Sequence, residues 1–272
     1  MQTTNQLIKK KLGLYKLKRN LIVKSNKVVV NQNIVMFHTG RCGSTVLGKT
    51  LNQHPKITWD GEPFEPYMNK DKFIDNFKSV IVNSRTRKVA PNSIIAIKHL
   101  DQLHLGSHCL NMTKAEVIEK AQQLKGPKFI LLERKNYLRR AVSAEVARTK
   151  KQWHSKKQDH YKTSKIKLDV ENFKTGHTFQ PLISLFNSME ESYKILKNEL
   201  ASIDYLDLTY EDDISESPLK ATNKVIKFLN LGQFDAKVTL KKTNPKPLSE
   251  IITNYNEVCN YFKGTKYEWM LE

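Results

Sequence analysis

Cysteines and long apolar runs are scarce in this sequence. Its three cysteines, Cys42, Cys109 and Cys259, are far apart, odd in number and never in C-x-x-C spacing, which argues against a disulfide framework or a cysteine zinc site. No apolar run reaches the roughly 18 residues of a membrane span. Charged residues also interrupt the basic N-terminus before an apolar run attains the length of a signal peptide. We therefore expect a soluble protein of the reducing cytoplasm.

Blocks of like charge are absent as well, although the chain is strongly basic. The 46 Lys and Arg residues contribute to a formal net charge of +19, but they are spread along the whole sequence. No zinc-finger spacing or RNA-binding aromatic motif accompanies them. We therefore expect an electropositive site for an anionic ligand and no specific nucleic-acid partner, and we keep a nucleic-acid-binding protein as an alternative.

The apolar runs that are present alternate with segments of helical periodicity. Short β-branched runs predict buried strands at 33–37, 93–100, 128–133 and 203–210, and helical spacing predicts helices at 71–83, 113–124, 182–200 and 218–230. Strands that alternate with helices of this length indicate βαβ units. We therefore predict an α/β three-layer sandwich with a mostly parallel sheet, which binds its ligands at the carboxyl ends of the strands.

The 272 residues contain no internal repeat and no low-complexity linker. A chain of this length can bury one core, so we predict a single domain over 1–272, with an N-terminal extension at 1–32. The segment 150–180 is polar and weakly periodic. We expect either a lid over the sheet edge or a solvated basic loop there, because long loops in compact domains are often functional.

The stretch HTGRCGSTVLGKTL at 38–51 can be read as a phosphate-binding loop in two registers. From Gly43, GSTVLGKT matches the pattern G-x-x-x-x-G-K-[ST] of triphosphate-binding loops, in which Lys49 and Thr50 would serve a γ-phosphate and Mg²⁺. From Thr39, TGRCGST is a shorter loop that brings Arg41 to the anion. The first register predicts a nucleotide-dependent kinase, and the second predicts an enzyme with another phosphorylated donor.

The shorter register fits the surrounding residues better. The longer one would leave five residues between the strand and the loop, and would put Val46 and Leu47 in the phosphate cradle. In the shorter one, residues 41–45 form the cradle, Ser44 caps a helix, and Val46, Leu47 and Leu51 share its inward face. The run FILLE also ends without an Asp for Mg²⁺, whereas the Arg41 fork can bond two phosphate oxygens. We therefore expect a P-loop-like anion site without a metal.

Two sequence elements resemble the sulfotransferases that use 3′-phosphoadenosine 5′-phosphosulfate (PAPS), particularly carbohydrate and bacterial trehalose-type enzymes. The first is TGRCGSTVLGKTLNQHPKITWDGEPFEP at 39–66. The family loop reads R-S-G-S-[ST], and in several members N-Q-H-P and then Glu-Pro follow. The second is LLERKNYLRRAVSAEVA at 131–147, which is similar to the bacterial 3′-phosphate element, an Arg at a strand end and a Ser one helical stretch later. With LTYEDD at 208–213 and the C-terminal residues, the resemblance spans roughly 33–272.

The resemblance implies metal-free transfer of a sulfuryl group from PAPS to an acceptor hydroxyl, on a carbohydrate or a small alcohol. It implies that the 3′-phosphate binds at Arg134 and Ser143, and that the 5′-phosphosulfate binds at Arg41, Cys42, Gly43, Ser44 and Thr45. Arg41 would also act in catalysis. The sequence departs from the family in having Cys42 where Ser is usual, and in lacking the Asp-Pro that often follows the strand Arg.

The general base of the resembling enzymes corresponds to Glu62 of the turn DGEPFEP. Glu65 is its rival in the same turn, and a surface carboxylate without a catalytic role is the plain alternative, because geometry decides among candidate bases. Several other residues are weaker candidates for lining the site, namely Lys98 at a strand end, Trp153 and His154 in the segment 150–180, and the loop of Lys263, Gly264 and Thr265. Arg139 is expected to be a solvated or partner-binding charge. Neither the acceptor nor the oligomeric state is indicated.

Overall fold

The computed structural model of the protein describes residues 32–62, 92–97, 113–124, 126–150, 165–175, 178–240, 242 and 244–272. The strands are β1 Gln32–His38, β2 Ile57–Gly61, β3 Asn92–Ile97, β4 Pro127–Glu133, β5 Phe173–Thr175, β6 Thr178–Gln180 and β7 Tyr205–Thr209. The helices are α1 Ser44–Leu51, α2 Lys114–Gln122, α3 Tyr137–Lys150, α4 Leu182–Leu200, α5 Tyr210–Asp213, α6 Pro218–Phe228, α7 Leu248–Ile251 and α8 Tyr255–Phe262, followed by a 3₁₀ helix at Glu268–Leu271.

Five strands form a sheet in the order β2-β3-β1-β4-β7, and all four neighbouring pairs are parallel. The strands predicted at 33–37, 128–133 and 203–210 are confirmed, and the one at 93–100 is confirmed as far as Ile97, beyond which residues 98–100 lie outside the described ranges. In a parallel sheet the carboxyl ends of the strands lie along one edge. The connections that follow β1, β2 and β4 therefore begin on the same side of the molecule.

Alternate residues of the central strands enter two separate cores, as side chains of a buried strand must. Val35 and Phe37 of β1 pack in the core that contains residues of α2, α3 and α4. Ile34 and Met36 pack in the other core, with residues of α1 and α6. All four side chains have no exposed surface. Helices thus cover both faces of the sheet, which confirms the predicted α/β three-layer sandwich.

Three of the predicted helices are present, and local signals set where they begin. At α2, Thr113 and Glu116 form a reciprocal capping box. At α6, Ser217 accepts a hydrogen bond from the Leu219 N–H and Pro218 occupies the first turn. The helix predicted at 71–83 lies outside the described residues. Among the helices that the structure does describe, none combines the length and the apolar character needed to cross a bilayer.

The described part of the segment 150–180 is not a solvated basic loop. Leu168 and Phe173 are buried in the core beneath α4, and β5 pairs with β6 in an antiparallel hairpin. Ile166 also forms a bridge with Ile252, next to α7. Residues 151–164 and 176–177 lie outside the described ranges. The expectation of a solvated loop is therefore wrong for 165–175, because apolar residues in this segment anchor it to the core.

Candidate active site

The loop 39–43 connects β1 to α1 through left-handed backbone conformations. Gly40, Arg41 and Gly43 have φ angles of 79°, 54° and 89°. A positive φ is costly for a residue with a Cβ atom, and such strain tends to persist at functional sites. Helix α1 begins at Ser44, well before Lys49, as the shorter register of the sequence predicts.

Gly43 precedes α1 as its N-cap and makes no side-chain cap. A Cβ atom at this position would lie 2.9 Å from Cγ2 of Ile214, in addition to the strained φ. Ser44 is the first helical residue, so the expectation that it caps the helix is wrong. The left-handed turn at Gly43 explains this, because the chain enters the helix one residue earlier than a serine cap would require.

Lys49 and Thr50, which the longer register assigns to a γ-phosphate and Mg²⁺, are placed differently. Lys49 is exposed in the last turn of α1, and the buried Thr50 hydroxyl donates to the Val46 carbonyl at 2.8 Å. Leu47 and Leu51 are fully buried, as predicted, whereas Val46 is only partly buried. The geometry therefore gives no support to a triphosphate site at Lys49 and Thr50.

The first turn of α1 presents unpaired backbone donors to the loop. The first intrahelical hydrogen bond runs from the Leu47 N–H to the Gly43 carbonyl at 3.0 Å, so the N–H groups of Thr45 and Val46 have no acceptor within the helix. The N-terminal end of a helix also carries a partial positive charge. Together these features make a site that favours an anion.

Cys42 does not contribute its side chain to such a site. The thiol is completely buried in the core shared with α1 and α6. Burial raises the pKa of the thiol, although hydrogen bonds from the Ser44 backbone and hydroxyl act in the opposite direction. Cys42 is therefore a protonated core residue, and binding through its backbone N–H remains a prediction.

Two arginines of the β4–α3 region, Arg134 and Arg140, bond to this loop, and the loop's own Arg41 bonds back to α3. Arg41 Nε donates to Ser143 Oγ at 3.0 Å, and Arg134 Nη1 donates to the Arg41 carbonyl at 3.0 Å. The buried Arg140 donates to the carbonyl oxygens of Thr39 and Gly40. The loop is thus held by guanidinium groups of β4–α3, and the two predicted phosphate-binding elements are in direct contact.

The convergence of these arginines leaves a concentrated positive charge. Burial, and after it the charge of Arg134, lower the pKa of the Arg41 guanidinium to about 10. Burial also lowers the pKa of Arg134, against the effect of Tyr210 and Glu211. Arg41 is still protonated at neutral pH because its pKa lies well above 7. A bound anion would favour the charged forms of both guanidinium groups. The loop should therefore bind negatively charged ligands in preference to neutral ones.

A pocket of about 280 Å³ opens at the loop. Its cationic side chains are Arg41, Arg134, Arg139 and Lys242, and the only carboxylate among the described lining residues is Glu216. The remaining lining residues include both polar and apolar side chains, namely Gly43, Ser44, Thr45, Val46, Val142, Ser143, Tyr210, Ile214, Ser215, Pro218, Val238, Leu240, Asn244, Leu248 and Ile251. The predicted residues of both phosphate-binding elements, apart from Cys42, therefore line one cavity.

Glu62 follows β2 at the same edge of the sheet. Its Oε1 lies 3.5 Å from Nε2 of His38, and 24% of its side-chain surface is exposed to solvent. The carboxylate also raises the pKa of Arg41, which places it within electrostatic range of the loop. Glu62 lies beside the loop and not among the residues that line the pocket. Its rival Glu65 lies outside the described residues.

The motif N-Q-H-P at 52–55 has a structural role that the sequence did not reveal. Gln53 forms two hydrogen bonds with the Lys237 backbone, donating to its carbonyl at 2.7 Å and accepting from its N–H at 2.9 Å. His54 Nε2 lies 3.1 Å from the Gly232 carbonyl. These contacts anchor residues 231–240, which we call the wall segment because Val238 and Leu240 line the pocket.

Other pocket residues were also missed or misjudged from the sequence. Arg139 is partly buried and donates to the Lys246 carbonyl at 3.0 Å, so it is not a fully solvated charge, and its alternative role in binding a partner stays a prediction. The Arg134 guanidinium lies 4.2 Å from the Tyr210 ring centre. Helical spacing offered a usable signal, because residues three and four positions before Ser143 share its face of α3. Those positions are Arg140 and Arg139.

The remaining candidates do not contribute to the described site. Lys98, Trp153 and His154 lie outside the described residues. The turn of Lys263, Gly264 and Thr265 is not part of the pocket lining, and the Gly264 N–H is bonded to Glu268 instead. Within the described ranges, no group of three or more His, Cys, Asp or Glu side chains is arranged to hold a metal ion.

No protein-family model matches the chain, and no curated protein matches it significantly. Solved structures similar to it include a sulfotransferase from Alicyclobacillus acidocaldarius, with 12% identity, a TM-score of 0.41 and coverage of 86% of this chain and 92% of that one. The sulfotransferase domain from the curacin biosynthetic pathway has 12% identity, a TM-score of 0.41 and 76% coverage of each chain. The sulfotransferase domain from the Synechococcus PCC 7002 olefin synthase has 13% identity, a TM-score of 0.38 and coverage of 78% and 77%. Similarity at this level does not establish an activity.

Proposed function

We propose that the chain is a sulfotransferase that moves a sulfuryl group from PAPS to an acceptor hydroxyl, as one catalytic domain. One observation carries the proposal. The loop and the β4–α3 element, 93 positions apart at Arg41 and Arg134, line the same pocket and touch through the 3.0 Å bond between Arg41 and Ser143. Their joint presence supports a ligand with two separate anionic groups, which PAPS has and simple adenine nucleotides lack.

The chemistry of the pocket fits such a ligand. Arg134 Nε and Asn244 Nδ2 are buried and have no hydrogen-bond partner, although both residues line the pocket. A buried donor without an acceptor costs about 1–3 kcal/mol, which a ligand oxygen or ring nitrogen would recover. Four cationic side chains against one carboxylate favour negative charge in the same place.

The residues divide into two binding groups in this proposal. The 5′-phosphosulfate is held by Arg41, by the N-terminal turn of α1 through Gly43, Ser44 and Thr45, and by the backbone N–H of Cys42. Arg134 and Ser143 hold the 3′-phosphate. Apolar lining residues such as Ile214 and Leu240 pack against the nucleoside between the two phosphate sites. Binding at both ends orients the reacting group for in-line transfer.

The reaction needs a leaving group that is stabilised and an acceptor that loses its proton. PAPS supplies an activated sulfuryl group whose leaving group is a phosphate. Arg41 and the N–H groups of α1 stabilise negative charge on that phosphate, a task that Mg²⁺ performs in many phosphoryl transfers. Glu62 accepts the proton of the acceptor hydroxyl, which belongs to a carbohydrate or a small alcohol. No metal is required in this scheme.

The donor assignment is tested by thermal unfolding with nucleotides. 3′-Phosphoadenosine 5′-phosphate (PAP) should raise the melting temperature more than AMP at equal concentration, because a ligand that binds only the native state stabilises it more as its affinity increases. Arg134→Ala should remove the difference between the two nucleotides. The control is Lys135→Ala, which removes an equal charge from an exposed neighbour. Equal shifts with PAP and AMP would refute the 3′-phosphate site, and a preference for MgATP would favour a kinase.

The base is tested by Glu62→Gln with labelled PAPS and a panel of sugars, lipids and small alcohols. The substitution keeps the shape of the side chain and removes its capacity to take a proton. Turnover should fall by roughly 10²- to 10⁴-fold while PAP binding is retained. Glu65→Gln is the matched control and should stay within a few-fold of the parent. If Glu62→Gln turned over at the parental rate while the chemical step was rate-limiting, Glu62 would not be the general base and another group would have to take the proton.

A further inference from the structure

A buried histidine lies between the anion loop and the proposed base. His38 is the last residue of β1 and has no exposed surface. Its Nδ1 accepts a hydrogen bond from the Gly40 N–H at 3.0 Å. A neutral imidazole carries one proton, and the nitrogen that accepts cannot also hold it. The Gly40 contact therefore places the ring proton of the neutral form on Nε2.

The second nitrogen of the same ring faces Glu62. His38 Nε2 lies 3.5 Å from Glu62 Oε1, slightly beyond hydrogen-bond length, and contacts of this kind often tighten when a substrate binds. Strand β3 lies between β1 and β2 in the sheet. The imidazole therefore links two connections that are not neighbours in the sheet, one carrying the anion loop and the other carrying the proposed base.

We infer that His38 is a positioning residue for the base. Its Nε2–H is directed at the Glu62 carboxylate and stabilises its ionised form, and its Nδ1 fixes the ring to the backbone of the anion loop. This inference rests on the proposed function, in which Glu62 takes the acceptor proton. Glu62 also interacts electrostatically with Arg41, so the charge of the loop favours the ionised carboxylate as well.

The histidine does not take the acceptor proton itself. Its Nδ1 is engaged by Gly40 and its Nε2 already carries a hydrogen. In the proposed step, the hydroxyl proton moves to Glu62 and the acceptor oxygen forms a bond to sulfur. The bond between sulfur and the bridging oxygen breaks, and its electron pair stays on the departing phosphate. His38 keeps the same proton throughout, while Glu62 gains one.

The tautomer can be measured without any acceptor. Long-range ¹H–¹⁵N correlation spectra of the protein bound to PAP, with the His38 signals assigned by their loss in His38→Asn, should show a neutral ring protonated at Nε2. Glu62→Gln should shift the Nε2–H signals of His38 and leave the other histidine signals in place. A ring protonated at Nδ1, or His38 signals that do not shift in Glu62→Gln, would overturn the inference.

Two substitutions separate the functions of the ring nitrogens. In His38→Asn the side-chain carbonyl can accept from Gly40, but nothing reaches Glu62. PAP affinity should stay within about threefold of the parent, while kcat for the best acceptor of the panel falls by about 10-fold or more. In His38→Gln the longer amide can donate to Glu62, so kcat should be largely restored while PAP affinity falls.

The double variant His38→Asn/Glu62→Gln shows whether the histidine acts through the base. Once Glu62 cannot accept a proton, removing the Nε2–H should cost no further turnover, because coupled residues are not additive. Independent, multiplying losses would overturn the inference and assign His38 to the loop alone. Failure of the proposed function has a different signature, since Glu62→Gln would then retain parental turnover or PAP would not bind to the unmutated protein.

Discussion

Residues 40–45, which we call the front part, span the loop and the start of α1, and residues 48–50, the back part, lie near the end of α1. Both parts contain glycine, a basic residue and a hydroxyl group, yet they have different roles in the structure. In the front part, Arg41 and Ser44 line the pocket. In the back part, Gly48 lies so close to the Trp59 ring that a Cβ atom would overlap it, and the Thr50 hydroxyl bonds within the helix. The same residue types therefore line the pocket only at the start of the helix, where backbone N–H groups lack acceptors within the helix, and elsewhere they serve packing.

The largest expected contrast is between the two basic residues. Arg41→Ala should weaken PAP binding by about 10- to 100-fold, the usual range for losing charge-assisted hydrogen bonds, and should nearly abolish transfer. Lys49→Ala should leave both within about twofold, because an exposed surface charge contributes little. Calorimetric titration with PAP measures the affinities. If Arg41→Ala kept its activity and Lys49→Ala lost it, the result would contradict the shorter register and favour the triphosphate-binding register.

Gly43→Ala should affect stability and binding together. The new methyl would meet Ile214 and would occupy a left-handed conformation, for a loss of roughly 1–3 kcal/mol in the free energy of unfolding. Relief of that strain should shift the loop and weaken PAP binding as well. Urea denaturation and PAP titration measure the two effects. Unchanged affinity in the folded variant would mean that the backbone of Gly43 does not contribute to the anion site.

Gly48→Ala sharpens the comparison because only stability should change. A methyl against the Trp59 ring overpacks the helix contact and should cost about 1–3 kcal/mol. PAP affinity of the folded variant should equal that of the parent, since the helix start at Ser44 is unaffected. The pair Gly48→Ala and Gly48→Ala/Trp59→Leu tests the cause, because the smaller side chain should recover stability. A selective loss of PAP binding would indicate that the back part also touches the ligand.

The smallest effect is expected at the wall segment. Gln53→Ala removes two hydrogen bonds to the Lys237 backbone, and should accelerate PAP dissociation by about two- to tenfold, because one wall of the pocket loses its anchor. The melting temperature should change only slightly. Gln122→Ala is the matched control, at an exposed position of α2. Stopped-flow displacement of PAP measures the dissociation rate. Equal dissociation rates for both variants would show that Gln53 does not help to retain the ligand.

The parts of the site that were predictable from sequence depend on residues that lie close together in the chain. The shorter register was favoured by residues close together in the chain, because it lets the loop follow the strand directly and places Leu47 and Leu51 on the inward face of the helix. Arg134 and Ser143 were paired only through the resemblance to sulfotransferases, whose 3′-phosphate element has an Arg at a strand end and a Ser one helical stretch later. The buried Arg140 could not be assigned in the same way, since it bonds the Thr39 carbonyl 101 positions away. Sequence patterns do not encode which backbone carbonyl lacks a partner.

By itself the sequence determined four strands of the parallel sheet and three of the described helices, because periodicity and capping residues act over a few neighbouring positions. The anion-binding role of the loop after β1 stays a prediction. The tertiary structure decided which groups meet. The sheet order brought Glu62 to His38 across β3, and the fold placed residues 231–240 against Gln53. These contacts join segments far apart in the chain, so their geometry depends on how all the layers pack and not on any local pattern.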